Sequence, residues 1–378
     1  MKICFWGNIA RALKGKTDGG GELQLSLIAR ALAKAGHEVV VVDYHTPEDF
    51  ITEEGIKVFK IQGYNKGIRG IRTFTHRLPR LYTSLKSQHA DIYYCRIRDF
   101  RQILAYRAAR KVKAKLIFGM AHDLDAMSTL MRIKNRRFIQ TKGLWGIFNK
   151  TLIEIFYPFI LRRADIVFAQ HEGQKEILSK WGIESDIFSN LIIPSPLPVS
   201  VNHSRKNFIY VGELVIQKGF HDFFELVNKV PLHTFKVVGQ PNDIKSSNYY
   251  EQLKSYENVD LLGRLSHTDT IIQIANSKAI ISTSPLEGFP NIFIEAWACG
   301  IPVISLHVDP GDVIEREQLG HIAHGDLDSL VDALDNFETD IDFADRAKAY
   351  VEKTHILNSN RIEEISALFN EVLMKSER

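Results

Sequence analysis

Residues 284–303 read SPLEGFPNIFIEAWACGIPV, and they continue the apolar run KAIISTS, which ends at Ser284. An apolar run that ends in small polar residues is typical of a buried parallel strand. Pro290 suits the first turn of a helix because its ring fixes a helical φ and its missing N–H has no partner there. Gly300 and Pro302 then favour the end of that helix. The stretch therefore predicts a strand, a tight turn and a short helix.

Two glutamates frame the predicted turn and helix. Glu287 lies on the turn, and Glu295 follows about two helical turns later. A helix N-terminus at the carboxyl end of a parallel strand is a ready anion site, because its first backbone amides have no acceptor within the helix. One carboxylate can then act at the mouth of the site while the other lies along its side.

Length and composition indicate a two-domain protein of the soluble globular class. The chain has 378 residues, of which 45% are hydrophobic and 25% charged. No apolar run approaches the roughly 20 residues that span a bilayer, and the N-terminal apolar stretch is too short for a secretory leader. Three cysteines without paired spacing favour a reducing cytosol, and no Cys/His cluster has the spacing of a zinc site.

Charge is unevenly distributed along the chain. Residues 1–200 contain 32 Lys and Arg against 18 Asp and Glu, whereas the remainder contains 16 against 27. Such a basic half indicates an anionic partner, which could be a membrane surface, a phosphorylated substrate or nucleic acid, although a solvated basic face would look the same. In residues 132–163 aromatic and aliphatic residues alternate with Lys and Arg, which favours an anionic bilayer, although a buried helix face would look similar at 151–161, where charge is nearly absent. No recognition motif supports nucleic acid.

Strand-like and helix-like patterns alternate over the whole chain. This alternation predicts an α/β protein with two tandem Rossmann-like, doubly wound parallel-sheet domains and a ligand cleft between them. The predicted N-terminal domain covers residues 1–195, and the Pro/Ser-rich stretch 196–206 is the linker. The C-terminal domain covers residues 207–355, and a terminal helix in 356–378 could pack back toward the first domain.

Several motifs in this order resemble those of glycosyltransferase family 4, whose members have the GT-B fold and retain anomeric configuration. The resemblance runs through both domains. Its N-terminal motifs are TDGGGELQLSLIARALAKAGHEV and IFGMAHD, and its C-terminal motifs are FIYVGELVIQKGF, NVDLLGRLS and SPLEGFPNIFIEAWACGIPVIS. A pair of glutamates eight residues apart is weak evidence alone, but it is specific within this series of motifs.

The resemblance implies roles for individual residues. Lys218 would lie on the diphosphate of a nucleotide-sugar, Glu287 and His122 would position the sugar, and Glu295 would bind the ribose. These assignments make His122, Glu287 and Lys218 the predicted catalytic residues. The predicted donor-binding residues are Gly19, Gly20, Gly212, Lys218, Gly263, Arg264, Phe289, Pro290, Asn291, Ile292 and Glu295. Gly19 and Gly20 are expected to use backbone conformations barred to other residues and to allow close approach of the ligand.

One residue departs from the family pattern. Glu213 stands where the family commonly has an arginine, a second cation on the diphosphate. Two like charges about 4 Å apart repel by about 4 kcal/mol at an effective dielectric near 20. Glu213 is therefore expected to point away, to pair with Lys218 or another cation, or to contact the acceptor. This departure puts the two-cation clamp in doubt.

The sequence thus predicts a retaining, metal-independent glycosyltransferase, with a UDP-linked rather than a GDP-linked donor and no cofactor. Asp123 and Asp125 form an Asp-x-Asp pair, but the paired α/β domains argue against its use for a metal. The predicted acceptor is a glycan or a lipid-linked precursor of cell-surface polysaccharide or glycoconjugate. The predicted location is cytoplasmic, and the basic half would allow peripheral association with the inner face of the membrane. The alternatives are a non-transferring relative, such as a nucleotide-sugar epimerase of the same fold, and a weakly active scaffold protein.

Overall fold

A computed structural model describes residues 1–16, 19–69, 71–96, 98–134, 143–193, 205–338 and 340–374. The chain divides into two compact units. Unit 1 comprises Met1–Leu191 together with Leu357–Arg378, and unit 2 comprises Ile192–Ile356. The predicted linker 196–206 lies mostly outside the described residues.

Unit 1 is built on an eight-stranded sheet in the order β3-β4-β2-β1-β5-β6-β7-β8, parallel except for the β3–β4 pair. Its strands are β1 Lys2–Trp6, β2 Glu38–Asp43, β3 Phe50–Ile51, β4 Lys57–Lys60, β5 Ile92–Cys95, β6 Lys115–Gly119, β7 Ile166–Ala169 and β8 Asp186–Ile187. Its first eight α-helices are α1 Ala10–Leu13, α2 Gly20–Lys34, α3 Leu78–Lys86, α4 Gln102–Lys111, α5 Asp123–Ala126, α6 Thr129–Lys134, α7 Gly143–Leu161 and α8 Glu172–Ser179. A π-helical turn, Thr73–Arg77, precedes α3.

Unit 2 contains a six-stranded parallel sheet in the order β11-β10-β9-β12-β13-β14. Its strands are β9 Asn207–Val211, β10 Thr234–Val238, β11 Val259–Gly263, β12 Ile280–Ser282, β13 Val303–Ser305 and β14 Gly320–Ile322. Its helices are α9 Phe220–Lys229, α10 Ile244–Leu253, α11 His267–Ala275, α12 Asn291–Ala298, α13 Val313–Arg316, α14 Leu327–Asp335 and α15 Phe343–Thr354, and a 3₁₀ turn covers Ile216–Lys218.

The central strands of both sheets are buried on both faces, as continuous apolar strands require. In unit 1 the residues of β1 alternate between two cores, with Cys4 on one side and Ile3 and Phe5 on the other. The last helix, α16 Ser359–Met374, adds Phe369 to the second of these cores. The terminal helix of the chain therefore belongs to unit 1.

The predicted fold class of two doubly wound parallel-sheet units is confirmed. Three short strands, β3, β8 and β14, have no counterpart in the sequence analysis, because two or three residues show no periodicity. The predicted strand–turn–helix at 278–300 is present as β12 and α12. Pro290, however, is the residue before α12, with φ −64° and ψ 123°, and not part of its first turn. The φ angle that the proline ring fixes suits both the residue before a helix and the first helical residue, so only the ψ angle tells which of these positions Pro290 occupies.

Among the described residues, no helix combines the length and apolarity needed to cross a bilayer.

Candidate functional site

The order of the strands in unit 2 locates a crevice at one edge of its sheet. The chain runs outward from β9 through β10 to β11 and then returns to place β12 on the other side of β9. At such a reversal the loops leaving the two central strands diverge, and ligands of open α/β sheets bind there, beyond the carboxyl ends of the strands. The loops that follow β9 and β12 carry Lys218 and Glu287, respectively.

Lys218 and Glu287 are in direct contact across this reversal. The Lys218 Nζ atom donates to Glu287 Oε1 at 2.6 Å, and the buried Ser284 hydroxyl donates to the same oxygen at 2.8 Å. The lysine side chain is partly exposed, so its ammonium group can reach a ligand. The two predicted catalytic residues of this unit therefore lie together, 69 residues apart in sequence.

Gly219 brings the two loops this close. It adopts a left-handed conformation with φ +71°, and a Cβ atom at this position would lie 1.9 Å from the carbonyl oxygen of Thr283. The Thr283 hydroxyl also donates to the Gly219 carbonyl at 2.7 Å. Only glycine allows both the conformation and the contact.

Glycines also follow or end the neighbouring strands. Gly212 follows β9, Gly239 follows β10 and Gly263 ends β11. The Gly239 amide donates a hydrogen bond of 2.8 Å to the Gly263 carbonyl. A Cβ atom on Gly239 would lie 2.0 Å from the Gly212 carbonyl oxygen. The exposed Arg264 comes directly after β11. The predicted donor-binding residues Gly263 and Arg264 are thus at the same sheet edge as Lys218.

Helix α12 begins at this edge, directly after the turn that carries Glu287. Its first residues are Asn291 and Ile292, whose amides belong to the helix turn that lacks intrahelical acceptors, where the helix dipole favours an anion. The Phe289 side chain is buried, with its ring 4.9 Å from that of His355 and 6.2 Å from that of Trp297. Any contact of Phe289 with a donor would therefore be made by its backbone.

Glu295 lies on α12 and is paired with a histidine that the sequence analysis did not single out. The His267 Nε2 atom lies 2.9 Å from Glu295 Oε1. This hydrogen bond raises the pKa of His267 above its ordinary value, against the opposite effect of burial. Cys299 follows α12; burial, reinforced by Glu295, raises the pKa of its thiol to about 12, which suits a packing residue and not a nucleophile.

Glu213 does not pair with Lys218 in this structure. The exposed Glu213 carboxylate accepts a hydrogen bond of 2.7 Å from the side-chain amide of Asn242. Of the outcomes considered for this residue, the pairing with Lys218 is thus excluded. Lys218 and the N-terminus of α12 supply positive potential at this sheet edge.

In unit 1, His122 caps the short helix α5 at the carboxyl end of β6. Its Nδ1 atom accepts from the Leu124 amide at 3.1 Å. The amides of Ala121 and His122 both donate to Asp125 Oδ2 at 3.0 Å. This cap holds the backbone of His122 in place, and no hydrogen bond from the described residues engages the second nitrogen of its ring.

The two aspartates of the Asp-x-Asp pair are engaged in protein contacts. Asp125 is buried and receives the two amides of the cap, and burial raises the pKa of its carboxyl group. Asp123 accepts from Gln174 at 2.9 Å and lies 3.0 Å from the ring nitrogen of His171. Within the described part of the chain, no three His, Cys, Asp or Glu side chains are grouped as a metal site requires.

Gly19 and Gly20 lie at the start of α2, beyond the carboxyl end of β1. The expectation that they use left-handed backbone conformations is wrong, because Gly19 is extended with φ −161° and neither residue has a positive φ. The reason is that Gly19 is the N-cap of α2 and Gly20 its first residue. Among the described residues, no atom lies within 4 Å of a Cβ atom placed on Gly19, so no steric contact in that part of the chain requires glycine there.

Four contact residues of the site were not predicted from the sequence. Ser284 contacts Glu287, His267 contacts Glu295, Asn242 contacts Glu213, and Gly239 packs on Gly212. Only Gly239 had a detectable signal, because a glycine ends its strand as glycines do in the neighbouring strands. Single serine, histidine and asparagine residues in loops carry no such signal.

Family sequence profiles match both halves of the chain. The profile described as Glycosyltransferase Family 4 matches residues 18–190, and the one described as Glycosyl transferases group 1 matches residues 198–354. Together they cover nearly all of the chain, in the order that the motifs predict.

Among curated proteins, the chain is 22% identical over 336 residues to a component of human phosphatidylinositol N-acetylglucosaminyltransferase, covering 84% of this chain and 65% of that protein. It is 27% identical over 191 residues to lipopolysaccharide 1,6-galactosyltransferase of Escherichia coli K12, covering 46% of this chain and 52% of that protein. The chain thus spans less than two thirds of the length of either relative.

Solved structures share the fold over full length. Sucrose-phosphate synthase of Thermosynechococcus elongatus superposes on this chain with a TM-score of 0.75 and 15% sequence identity. Anabaena Alr3699/HepE, solved with UDP and glucose, superposes with a TM-score of 0.67 and 17% identity. Both superpositions cover the whole of this chain and the whole of the other chain. With the two family profiles and the two doubly wound units, these likenesses lead to one conclusion: the chain belongs to glycosyltransferase family 4 and has the GT-B fold.

Proposed function

We propose that this chain is a retaining, metal-independent glycosyltransferase that moves a sugar from a UDP-linked donor to a hydroxyl group of a glycan or lipid-linked acceptor. The observation that carries the proposal is the Lys218–Glu287 pair at the strand reversal of unit 2, next to the N-terminus of α12. A cation and a helix N-terminus at one sheet edge form the site that a diphosphate requires.

Donor binding would change the partner of Lys218. Before the donor binds, Glu287 neutralises the ammonium group. The diphosphate carries more negative charge than one carboxylate, so it would take over the ammonium group and release Glu287 toward the sugar hydroxyls. Ser284 donates to the same carboxylate oxygen and keeps the released side chain oriented.

The remaining donor contacts follow from the same sheet edge. Glu295 would accept hydrogen bonds from the ribose hydroxyls, and the backbone of Gly263 with Arg264 would hold the base. HepE, a structure of the same fold, was solved with UDP and glucose, which supports UDP as the nucleotide. The resemblance to family 4 further implies that His122 would donate to a sugar hydroxyl from its second ring nitrogen.

The transfer itself needs no protein nucleophile. The bond between the anomeric carbon and the phosphate oxygen breaks, and the acceptor oxygen attacks the same face of the sugar. The departing phosphate oxygen takes the acceptor proton, so the products are the glycoside and UDP. Lys218 and the α12 amides stabilise the negative charge that develops on the leaving group, which is the role a metal would otherwise have.

The names of the two curated relatives support the acceptor class. One is named for transfer to phosphatidylinositol and the other for transfer to lipopolysaccharide, and both acceptors contain a lipid. We propose an acceptor of this kind in cell-surface polysaccharide or glycoconjugate synthesis, and a cytoplasmic location at the inner face of the membrane.

Glu213 favours one alternative, a scaffold protein that binds the nucleotide but transfers slowly. With Asn242 as its partner, Glu213 supplies no second cation to the diphosphate. Such a protein would bind UDP and show little UDP release with any acceptor. An epimerase of the same fold would convert the donor when no acceptor is present.

The test is a donor screen followed by variant kinetics. UDP-sugars and GDP-sugars are first compared by thermal shift, since a ligand that binds only the folded protein raises its stability. UDP release is then measured with lipid-linked and free glycan acceptors. We expect Lys218→Ala to lower kcat/KM by about 100-fold or more, as loss of a charge-stabilising donor does.

Lys254→Ala is the matched control, because Lys254 is exposed in the same unit and its ammonium group bonds to the nearby Glu251. Its activity should equal that of the unchanged protein. Full activity of Lys218→Ala, with unchanged circular dichroism, would refute the proposed diphosphate site. Product formation without an acceptor would instead establish the epimerase.

A further inference from the structure

Helix α7 of unit 1 has an apolar face on each of two opposite sides. One side is part of the core through Tyr157, Ile160 and Leu161, which are buried. The other side carries Phe148, Ile155 and Phe159, which are 42%, 59% and 37% exposed. These three residues are seven and four positions apart, close to whole numbers of helical turns, so they form one stripe along the helix.

A second apolar segment extends this stripe. Ile68, Ile71 and Phe74 follow each other at intervals of three residues before and within the π-helical turn, and Ile71 and Phe74 are 55% and 48% exposed. The rings of Phe74 and Phe148 lie edge to face, with centroids 6.3 Å apart. The six residues Ile68, Ile71, Phe74, Phe148, Ile155 and Phe159 are called the apolar strip below.

The strip is bordered by cations and has almost no acids near it. Residues 55–90 contain eight Lys and Arg and no Asp or Glu. Among these cations, Lys66 and Arg69 are exposed beside Ile68. At the other end, Arg162 and Arg163 are exposed, and the Arg163 guanidinium lies 4.0 Å from the centre of the Phe159 ring.

The one acid of α7 faces the protein. Glu154 forms ion pairs with Arg98 and with the buried Arg132, the latter at 2.6 Å. Its charge is thus neutralised within the unit and does not offset the exposed cations. The outer face of α7 is therefore apolar with cations at its C-terminal end, and the Ile68 end of the strip has Lys66 and Arg69 beside it.

We propose that the apolar strip is a docking surface for an anionic lipid bilayer. Isoleucine and phenylalanine side chains enter the boundary between headgroups and acyl chains, while long basic side chains reach the lipid phosphates. A second copy of the chain would bring like charges together on this face. Nucleic acid would engage the cations and leave the isoleucines in water. The bilayer satisfies both the apolar and the charged groups.

The proposal goes beyond glycosyl transfer, because it concerns a surface of unit 1 that is distinct from the donor site of unit 2. The full chain is incubated, without donor, with vesicles of phosphatidylcholine alone or with about 30% phosphatidylglycerol, and the bound fraction is measured by sedimentation. We expect binding to the anionic vesicles to be about tenfold stronger or more, and to weaken as salt is raised.

Ile71→Glu and Ile155→Glu are the test variants, because both side chains are exposed and their exchange leaves the core intact. Each should lower the vesicle partition coefficient by about tenfold, and the double variant by more. Leu232→Glu is the matched control, since Leu232 is an exposed apolar residue of unit 2, and it should bind as the unchanged protein does.

Three results would overturn the proposal. The first is no preference for anionic vesicles. The second is that Ile155→Glu binds anionic vesicles as strongly as the unchanged protein does, or that Leu232→Glu loses as much vesicle binding as Ile155→Glu. The third is a concentration-dependent dimer in light scattering that Ile155→Glu abolishes, which would make a second copy the occupant. Thermal unfolding of each variant verifies that lost binding is not lost folding.

Discussion

Replacement of Gly219 by alanine should disrupt the contact between the two loops that carry Lys218 and Glu287. Three effects add up. The left-handed backbone costs an alanine about 1–2 kcal/mol. The new Cβ atom would lie 1.9 Å from the Thr283 carbonyl oxygen, so the loops must separate by more than about 1 Å, at a cost of about 1–3 kcal/mol of strain.

The third effect is the loss of the buried hydrogen bond from Thr283 to the Gly219 carbonyl, worth about 1 kcal/mol. The free energy of unfolding of unit 2 should therefore fall by about 3–6 kcal/mol in total. Urea denaturation followed by circular dichroism measures this change. Binding of a UDP-sugar should weaken as well, because Lys218 moves with Gly219.

Gly263→Ala separates the backbone effect from the steric one. Gly263 lies in the same unit and is left-handed at φ +67°, but a Cβ atom there would meet only the Gln240 side chain, at an ordinary distance of 3.9 Å. The free energy of unfolding of Gly263→Ala should therefore fall by only about 1–2 kcal/mol. If the two variants lose the same stability, the close approach of Gly219 to Thr283 does not exist in solution and the reasoning is wrong.

Three further predictions concern side chains of the two units. A donor that takes Glu295 displaces the ring of His267, whose pKa the hydrogen bond to Glu295 raises above 6.5, so donor binding releases a proton between 6.5 and the raised value. UDP-sugar affinity should therefore fall by up to about tenfold per pH unit as pH drops from the raised pKa to 6.5, and level off below that. Calorimetry should find this slope lost in His267→Gln, and equal slopes would contradict the assignment. Burial alone would raise the pKa of the Glu154 carboxyl group, but the arginines beside it lower that pKa below 4.5. The contribution of this carboxylate to stability is therefore present above pH 4.5 and is lost as pH falls through the lowered pKa. Glu154→Gln should remove that pH dependence and lower the free energy of unfolding in urea by about 3–5 kcal/mol, whereas a loss under about 1 kcal/mol would show that the ion pairs do not form. Ser284→Ala removes one hydrogen-bond donor to Glu287. UDP-release kinetics should show kcat lowered about fivefold with little change in KM. An unchanged kcat would show that the hydroxyl does not orient the carboxylate.

Much of unit 2 could be read from local patterns. The strand–turn–helix at 278–300, the position of Lys218 after β9 and the glycine at the end of β11 all follow from residues close in sequence. Periodicity and turn chemistry act over a few residues, so they report local conformation well. The same applies to the basic stretch near α7, whose charge is visible in composition alone.

Other features could not be predicted because no local pattern encodes them. Gly19 belongs to a glycine cluster that suggests unusual backbone angles, yet its position as the N-cap of α2 makes it extended. The apolar strip is a further case, since apolar residues of α7 look alike in sequence whether they face the core or the solvent. Residues 135–142, which carry part of that basic stretch, lie outside the described part of the structure.

The sequence by itself determined the α/β class and the order of the family motifs, because these depend on short-range periodicity and spacing. Only the tertiary structure decided that Lys218 contacts Glu287 across 69 residues, that Ser284 shares the same oxygen, and that Glu213 bonds to Asn242 instead of Lys218. The physical reason is the strand order. The return of the chain from β11 to β12 brings distant loops together, and side-chain partners follow from that packing and not from separation along the chain.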